Sequence, residues 1–61
     1  MPAYTVNYIE YDGRVWSSDL LECEDDDRVI RLVRVLDAYN IGNGYDILHG
    51  ERLVHRHRRY K

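Results

Sequence analysis

Sixty-one residues make one small domain, and a chain this short leaves much of its surface wet and needs a staple such as a disulfide, a metal or a second subunit. The single cysteine, Cys23, excludes an internal disulfide and fits a reducing, intracellular setting. A net charge of −2 conceals a division, because residues 1–27 carry eight acids and one arginine whereas residues 28–61 carry eight Lys/Arg and three acids.

Residues 3–9, AYTVNYI, alternate, with Tyr4, Val6 and Tyr8 on one side and Thr5 and Asn7 on the other. Period two with aromatic and β-branched residues predicts a half-buried strand. Asp12-Gly13 then signals a hairpin. A second strand is expected from Arg14 to about Cys23. Val15, Leu21 and Cys23 share one parity, Trp16 and Leu20 the other, and Ser17, Ser18 and Asp19 interrupt both. That interruption predicts a bulge in the middle of the strand that swaps its inward face.

Asp25 or Asp26 is positioned to cap a helix running to about Tyr39, since an acidic side chain accepts from the free N–H groups of the first turn and complements the helix dipole. Val29, Leu32, Val33, Leu36 and Tyr39 recur at helical spacing as an apolar stripe, which Ile30 and Val35 widen, and Arg28, Arg31 and Arg34 fall away from its centre. Asn40 to Gly44, NIGNG, is expected to stop the helix through left-handed backbone. YDILHGERLVHRH then reads as a second hairpin turning at Gly50.

The predicted fold class is therefore α+β, in the order β-β-α-β-β, with one helix packed on a mainly antiparallel four-stranded sheet. A right-handed crossover from the second strand to the third steps over the first, which gives the strand order 2-1-3-4. Residues 1–54 form the single domain, and 55–61 are a basic tail or an extension of the last strand. The opening MPAY, the Asp12-Gly13 turn, the Glu22-Cys23-x-Asp-Asp helix entry and the HGERLV turn resemble a group of short bacterial proteins. These open with Met-Pro-x-Tyr, carry an acid-rich junction before their helix and end in a Gly-centred hairpin. The resemblance implies the β-β-α-β-β layout and a bacterial, cytoplasmic origin, and no activity. The tail HRHRRYK is longer and more basic than that pattern.

Five acids, Glu22, Glu24, Asp25, Asp26 and Asp27, surround Cys23. They lack the glycine and distal glutamate of a calcium loop, so a helix entry explains them. The alternative reading is an acidic mimic of a DNA backbone that inhibits a nucleic-acid-binding enzyme, of a kind that phages encode. Cys23, His49, His55 and His57 have no recognised zinc spacing, and the neighbouring acids disfavour a reactive thiolate. Cys23 is expected to be a buried apolar thiol. No nucleophile grouping, phosphate-binding loop or paired-carboxylate signature is present, so neither catalysis nor a cofactor or metal is expected.

Arg28, Arg31, Arg34, Arg56, Arg58, Arg59 and Lys61 are the candidate contacts of a nucleic-acid-binding alternative. Against it stand an acidic pI of about 5.8 and the i,i+4 pairs Glu24–Arg28 and Asp27–Arg31. For the tail itself, a frayed and solvated terminus is the simpler expectation. Six tyrosines and one tryptophan with no phenylalanine suit interfaces. With the wide apolar helix face and exposed edge strands, they point to a non-enzymatic protein-binding module that forms a homodimer. Trp16, Ile30, Val35 and Tyr39 are its candidate interface residues. No apolar run approaches the ~20 residues that span a bilayer. The amino terminus also lacks the features of a signal peptide, so a cytoplasmic protein without a membrane partner is expected.

Overall fold

A computed structural model of the chain describes residues 1–39 and 42–59. Strand β1 spans Ala3–Ile9, β2 Val15–Glu22, helix α1 Asp26–Leu36, β3 Gly44–His49 and β4 Arg52–Arg58, with a 3-10 turn over Asp37–Tyr39. The four strands form one antiparallel sheet in the order β2-β1-β3-β4. β1 is thus paired on both sides, and β2 and β4 are the edges. The expected fold class and strand order are both observed.

The alternation of β1 decides where the core lies. Tyr4, Val6 and Tyr8 point to the helix side and are buried together with Cys23, Val29, Val33, Tyr45 and Ile47. Leu21, Ile30 and Val54 pack against this cluster. Val29 and Val33 lie one turn apart on α1, so one narrow line of the helix closes the core. Asp25 is the N-cap; its extended backbone lets its carboxylate accept from the Arg28 N–H at 2.8 Å. Asp26 and Asp27 follow in the first turn, where negative charge is favoured. The acid run is thus a helix entry.

Two bulges set the parity of the edge strands. Tyr8 pairs with Ser17 and Ile9 with Val15, so Trp16 is the extra residue of β2. The bulge lies nearer the hairpin than the Ser17–Asp19 interruption suggested, but it does swap the inward face: Leu21 faces the core and Val15 faces away. On β4, Ile47 pairs with His55 and Leu48 with Leu53, leaving Val54 as the extra residue. This explains why the pattern loses its period beyond Val54. β4 nevertheless continues through His55, Arg56, His57 and Arg58, so these four residues are strand and not a frayed terminus. Lys61 lies outside the described residues.

The glycines act differently from expectation. Positive φ is found at Gly13 (90°) and Gly50 (63°), the two hairpin turns. Gly42 and Gly44 have no positive φ; a Cβ at Gly42 would meet the Ile9 carbonyl, and one at Gly44 the His57 carbonyl. These two positions need glycine for close strand approach. The Asn40 and Ile41 part of the expected helix stop lies outside the described residues.

Ile47 is fully buried where β3 meets the core. Ile47→Ala should lower unfolding free energy by about 2–5 kcal/mol, a large share of the stability of so small a domain. Urea unfolding followed by circular dichroism measures it.

Candidate interaction surfaces

The sheet has two faces and α1 covers one. On the other, the pairing register arranges side chains in rows across all four strands. One row is Leu20, Thr5, Leu48 and Leu53; the next is Ser18, Asn7, Asp46 and Arg56; a third is Val15, Ile9, Gly44 and Arg58. Leu20 is 72% exposed and Leu53 46%, and Leu48 and Thr5 between them are half-buried. The core and α1 lie on the opposite face, although Ile9 in the third row is itself buried. The middle row is polar and internally bonded: the Ser18 hydroxyl donates to Asn7 Oδ1 at 2.7 Å, and Arg56 Nε donates to Asp46 Oδ1 at 3.0 Å. Burial alone would raise the Asp46 carboxyl, but hydrogen bonds from Arg58 and Arg56 outweigh it and hold the group below its ordinary value.

The four aromatic and aliphatic candidates do not form one patch. Trp16, the extra residue of the β2 bulge, meets Tyr8 at a ring separation of 6.2 Å. Trp16 lines a cleft of about 260 Å³ with Tyr8, Ser17, Asp19, Leu36 and Tyr39. On its other side lies a second cleft, of about 360 Å³, against Glu10, Tyr11, Asp12 and Gly42. So Trp16 and Tyr39 come together. Ile30 instead packs on the core, and Val35 is 66% exposed. At ~100° per residue, Val35 lies about 160° round the helix from buried Val33, which is why it does not extend the apolar stripe.

The arginines are divided too. Arg56 and Arg58 project from the uncovered sheet face, whereas Arg28, Arg31 and Arg34 ride on the helix across the sheet, so the two groups make no continuous surface. Arg56, Arg58 and Arg59 also have acids in the same chain. Asp46 takes Arg56 at 3.0 Å and Arg58 at 2.9 Å, and Asp37 takes Arg59 at 2.6 Å. Arg28 meets Glu24 at 3.9 Å. The expected Asp27–Arg31 pair is not observed among the described residues.

The acid cluster is likewise part-committed. Asp25 caps the helix, and Asp26 joins three elements. Tyr4 donates its hydroxyl to Asp26 Oδ1 at 2.8 Å, and Arg52 donates to both carboxylate oxygens at 3.2 and 3.3 Å. A carboxylate in the first turn of α1 is thereby fastened to β1 and β4. Glu22, Glu24 and Asp27 are exposed. Cys23 is buried, its N–H donating to the Pro2 carbonyl. Among the described residues, no three His, Cys, Asp or Glu side chains gather closely enough for a metal ion. No helix among them is long and apolar enough to cross a membrane.

The open-face row is the feature that sequence reasoning missed. Its residues are scattered at positions 5, 20, 48 and 53, and two bulges separate their registers from simple counting. The Asp12-Gly13 turn contained part of the signal, since a hairpin about it brings Leu20 beside Thr5. Comparison of the chain with protein-family models, curated proteins and solved structures finds no match.

The Tyr4–Asp26–Arg52 contact makes stability pH-dependent in a definite direction. Hydrogen bonds from Arg52, then from Tyr4, hold the Asp26 carboxyl below its ordinary value. Its contribution is complete above the ordinary carboxylate range and is lost as pH falls through the lowered folded value. The bond to Asp26, then burial, pushes Tyr4 from 10.0 up to about 12. That contribution is complete below pH 10.0 and is lost as pH rises towards about 12. Urea midpoints across pH should fall at both extremes. Asp26→Asn should make the acid limb shallower, and Tyr4→Phe the alkaline limb.

Proposed function

We propose that this chain is a small protein-binding module without catalytic activity, which associates with itself through the uncovered face of its sheet. The observation that carries the reading is the row Leu20–Thr5–Leu48–Leu53, apolar but for the threonine and crossing every strand on the side away from the helix. Exposed leucines scattered singly are ordinary, whereas a contiguous apolar row marks a contact surface. A short chain with a small core gains further buried apolar area from a second copy.

Nucleic-acid binding is less well supported. Arg56 and Arg58 are neutralised by Asp46 on the open face, and Arg59 is paired with Asp37 at the end of the helix, so the basic residues are divided between the two sides of the sheet and largely answered within the chain. The acidic-mimic reading is weakened by the use of Asp25 and Asp26 in the cap and the Tyr4–Arg52 contact.

Light scattering should give the mass of two chains at low and high salt, since an apolar contact does not weaken with screening. Leu20→Glu and Leu53→Glu place a charge at exposed positions and should yield folded monomers with unchanged far-ultraviolet circular dichroism. A monomeric parent at working concentrations would contradict the proposal.

A further inference from the structure

We infer that the cleft between the β2 edge and the carboxyl end of α1 binds an organic cation, a methylated ammonium head group, between the rings of Tyr8, Trp16 and Tyr39 and beside the carboxylate of Asp19. The site lies on the helix side of the sheet, because Val6 pairs with Asp19 and Tyr8 with Ser17, and Val6 and Tyr8 belong to the core. It is therefore independent of the self-association reading above.

The walls are aromatic. Trp16 is left 45% exposed and Tyr39 86%, so the core does not account for these two rings. Tyrosine and tryptophan present electron-rich faces, and a cation within ~6 Å of a ring centroid is attracted to them. The Tyr8 and Trp16 centroids stand 6.2 Å apart with their planes tilted at 43°. One cation lodged between them is within that reach of both rings.

The charge has the complementary sign. Asp19 is the charged residue that lines the cleft, and no Lys, Arg or His lines it. Asp19 has no ion pair among the described residues, whereas nearby Asp37 is taken by Arg59 at 2.6 Å. Burial, then the negative charges of Asp19 and Asp37, push the Tyr8 hydroxyl above its ordinary value. α1 ends at Leu36, which lines the cleft, so the negative end of the helix dipole adjoins the same space.

Size and lining narrow the ligand. At about 260 Å³ the cleft falls below the ~300–1,000 Å³ of pockets that enclose whole ligands, so it suits a single head group. A hard metal ion needs several oxygen ligands, and one carboxylate lines the space. A bare ammonium is compact and strongly hydrated. Methyl groups spread its charge and match Leu36 and the ring faces.

The test is a titration of the fluorescence of Trp16, the single tryptophan, with choline at constant ionic strength. Two further probes are the uncharged isostere of choline, in which carbon replaces nitrogen, and N-acetyl trimethyl-lysine amide. The inference expects a saturating change with the two cations and none with the isostere. The cation that binds more tightly assigns the source of the head group, a small molecule or a protein side chain. Tyr39→Ala should weaken binding about two- to five-fold. Asp19→Asn should weaken it at least as much. Tyr11→Ala, in the second cleft beside Trp16, should leave it unchanged. All three positions are exposed, and far-ultraviolet circular dichroism checks that each variant is folded. No saturation with either cation, or an equal response to the isostere, overturns the inference. Binding indifferent to Asp19→Asn and Tyr39→Ala but lost in Tyr11→Ala also overturns it, by moving the cation to the other side of Trp16.

Discussion

One helix of eleven residues must serve a sheet of four strands, and that constraint orders the rest of the molecule. At ~1.5 Å per residue α1 is about 16 Å long, enough to cover one face and no more. β1, hydrogen-bonded on both sides, divides its residues between the two environments. Tyr4, Val6 and Tyr8 go under the helix; Thr5 and Asn7 go to the open side. The helix is held over its face by Val29 and Val33 packing into the core and by Asp26 reaching both Tyr4 and Arg52. The first link is apolar and nondirectional, and the second fixes where the helix begins relative to the strands.

The same topology converts a division in the sequence into a division in space. An interleaved fold would have cancelled the acidic and basic halves. Here β1 takes the centre, beside β3, with the edges given to β2 and β4, so acids and arginines separate to opposite margins. Much of the basic charge is then answered locally, because Asp46 accepts two arginines and Asp37 a third. Paired guanidinium groups at a surface contribute little to stability but are less available to phosphates. With Arg52 also held by Asp26, the charge division is largely neutralised within the chain.

Much of this fold is legible in the residues. Alternation fixes β1 to its bounds, Asp12-Gly13 and Gly50 mark both turns, and the acid run locates the start of α1. The strand order follows from crossover geometry. What resists reading is the open face of the sheet. Val35 fits an apolar stripe on paper, yet helical angle sends it to the solvent side. Leu20, Leu48 and Leu53 look incidental until the bulges at Trp16 and Val54 bring them into one row with Thr5. A bulge is a property of two strands together, so neither strand's own period records where the register slips. The separation of the arginines has the same origin, because which side of a sheet a residue takes is set by its partners' pairing.

The claim that the uncovered face is the contact surface is tested most directly by amide nuclear magnetic resonance spectra recorded over a dilution series. The account predicts concentration-dependent shifts at Thr5, Leu20, Leu48 and Leu53 and along the rows that they share, with the outer helix at Arg31 and Val35 unmoved. Shifts gathered instead around Trp16 and Tyr39, or on the helix, would contradict it and move the interface to the other side of the molecule.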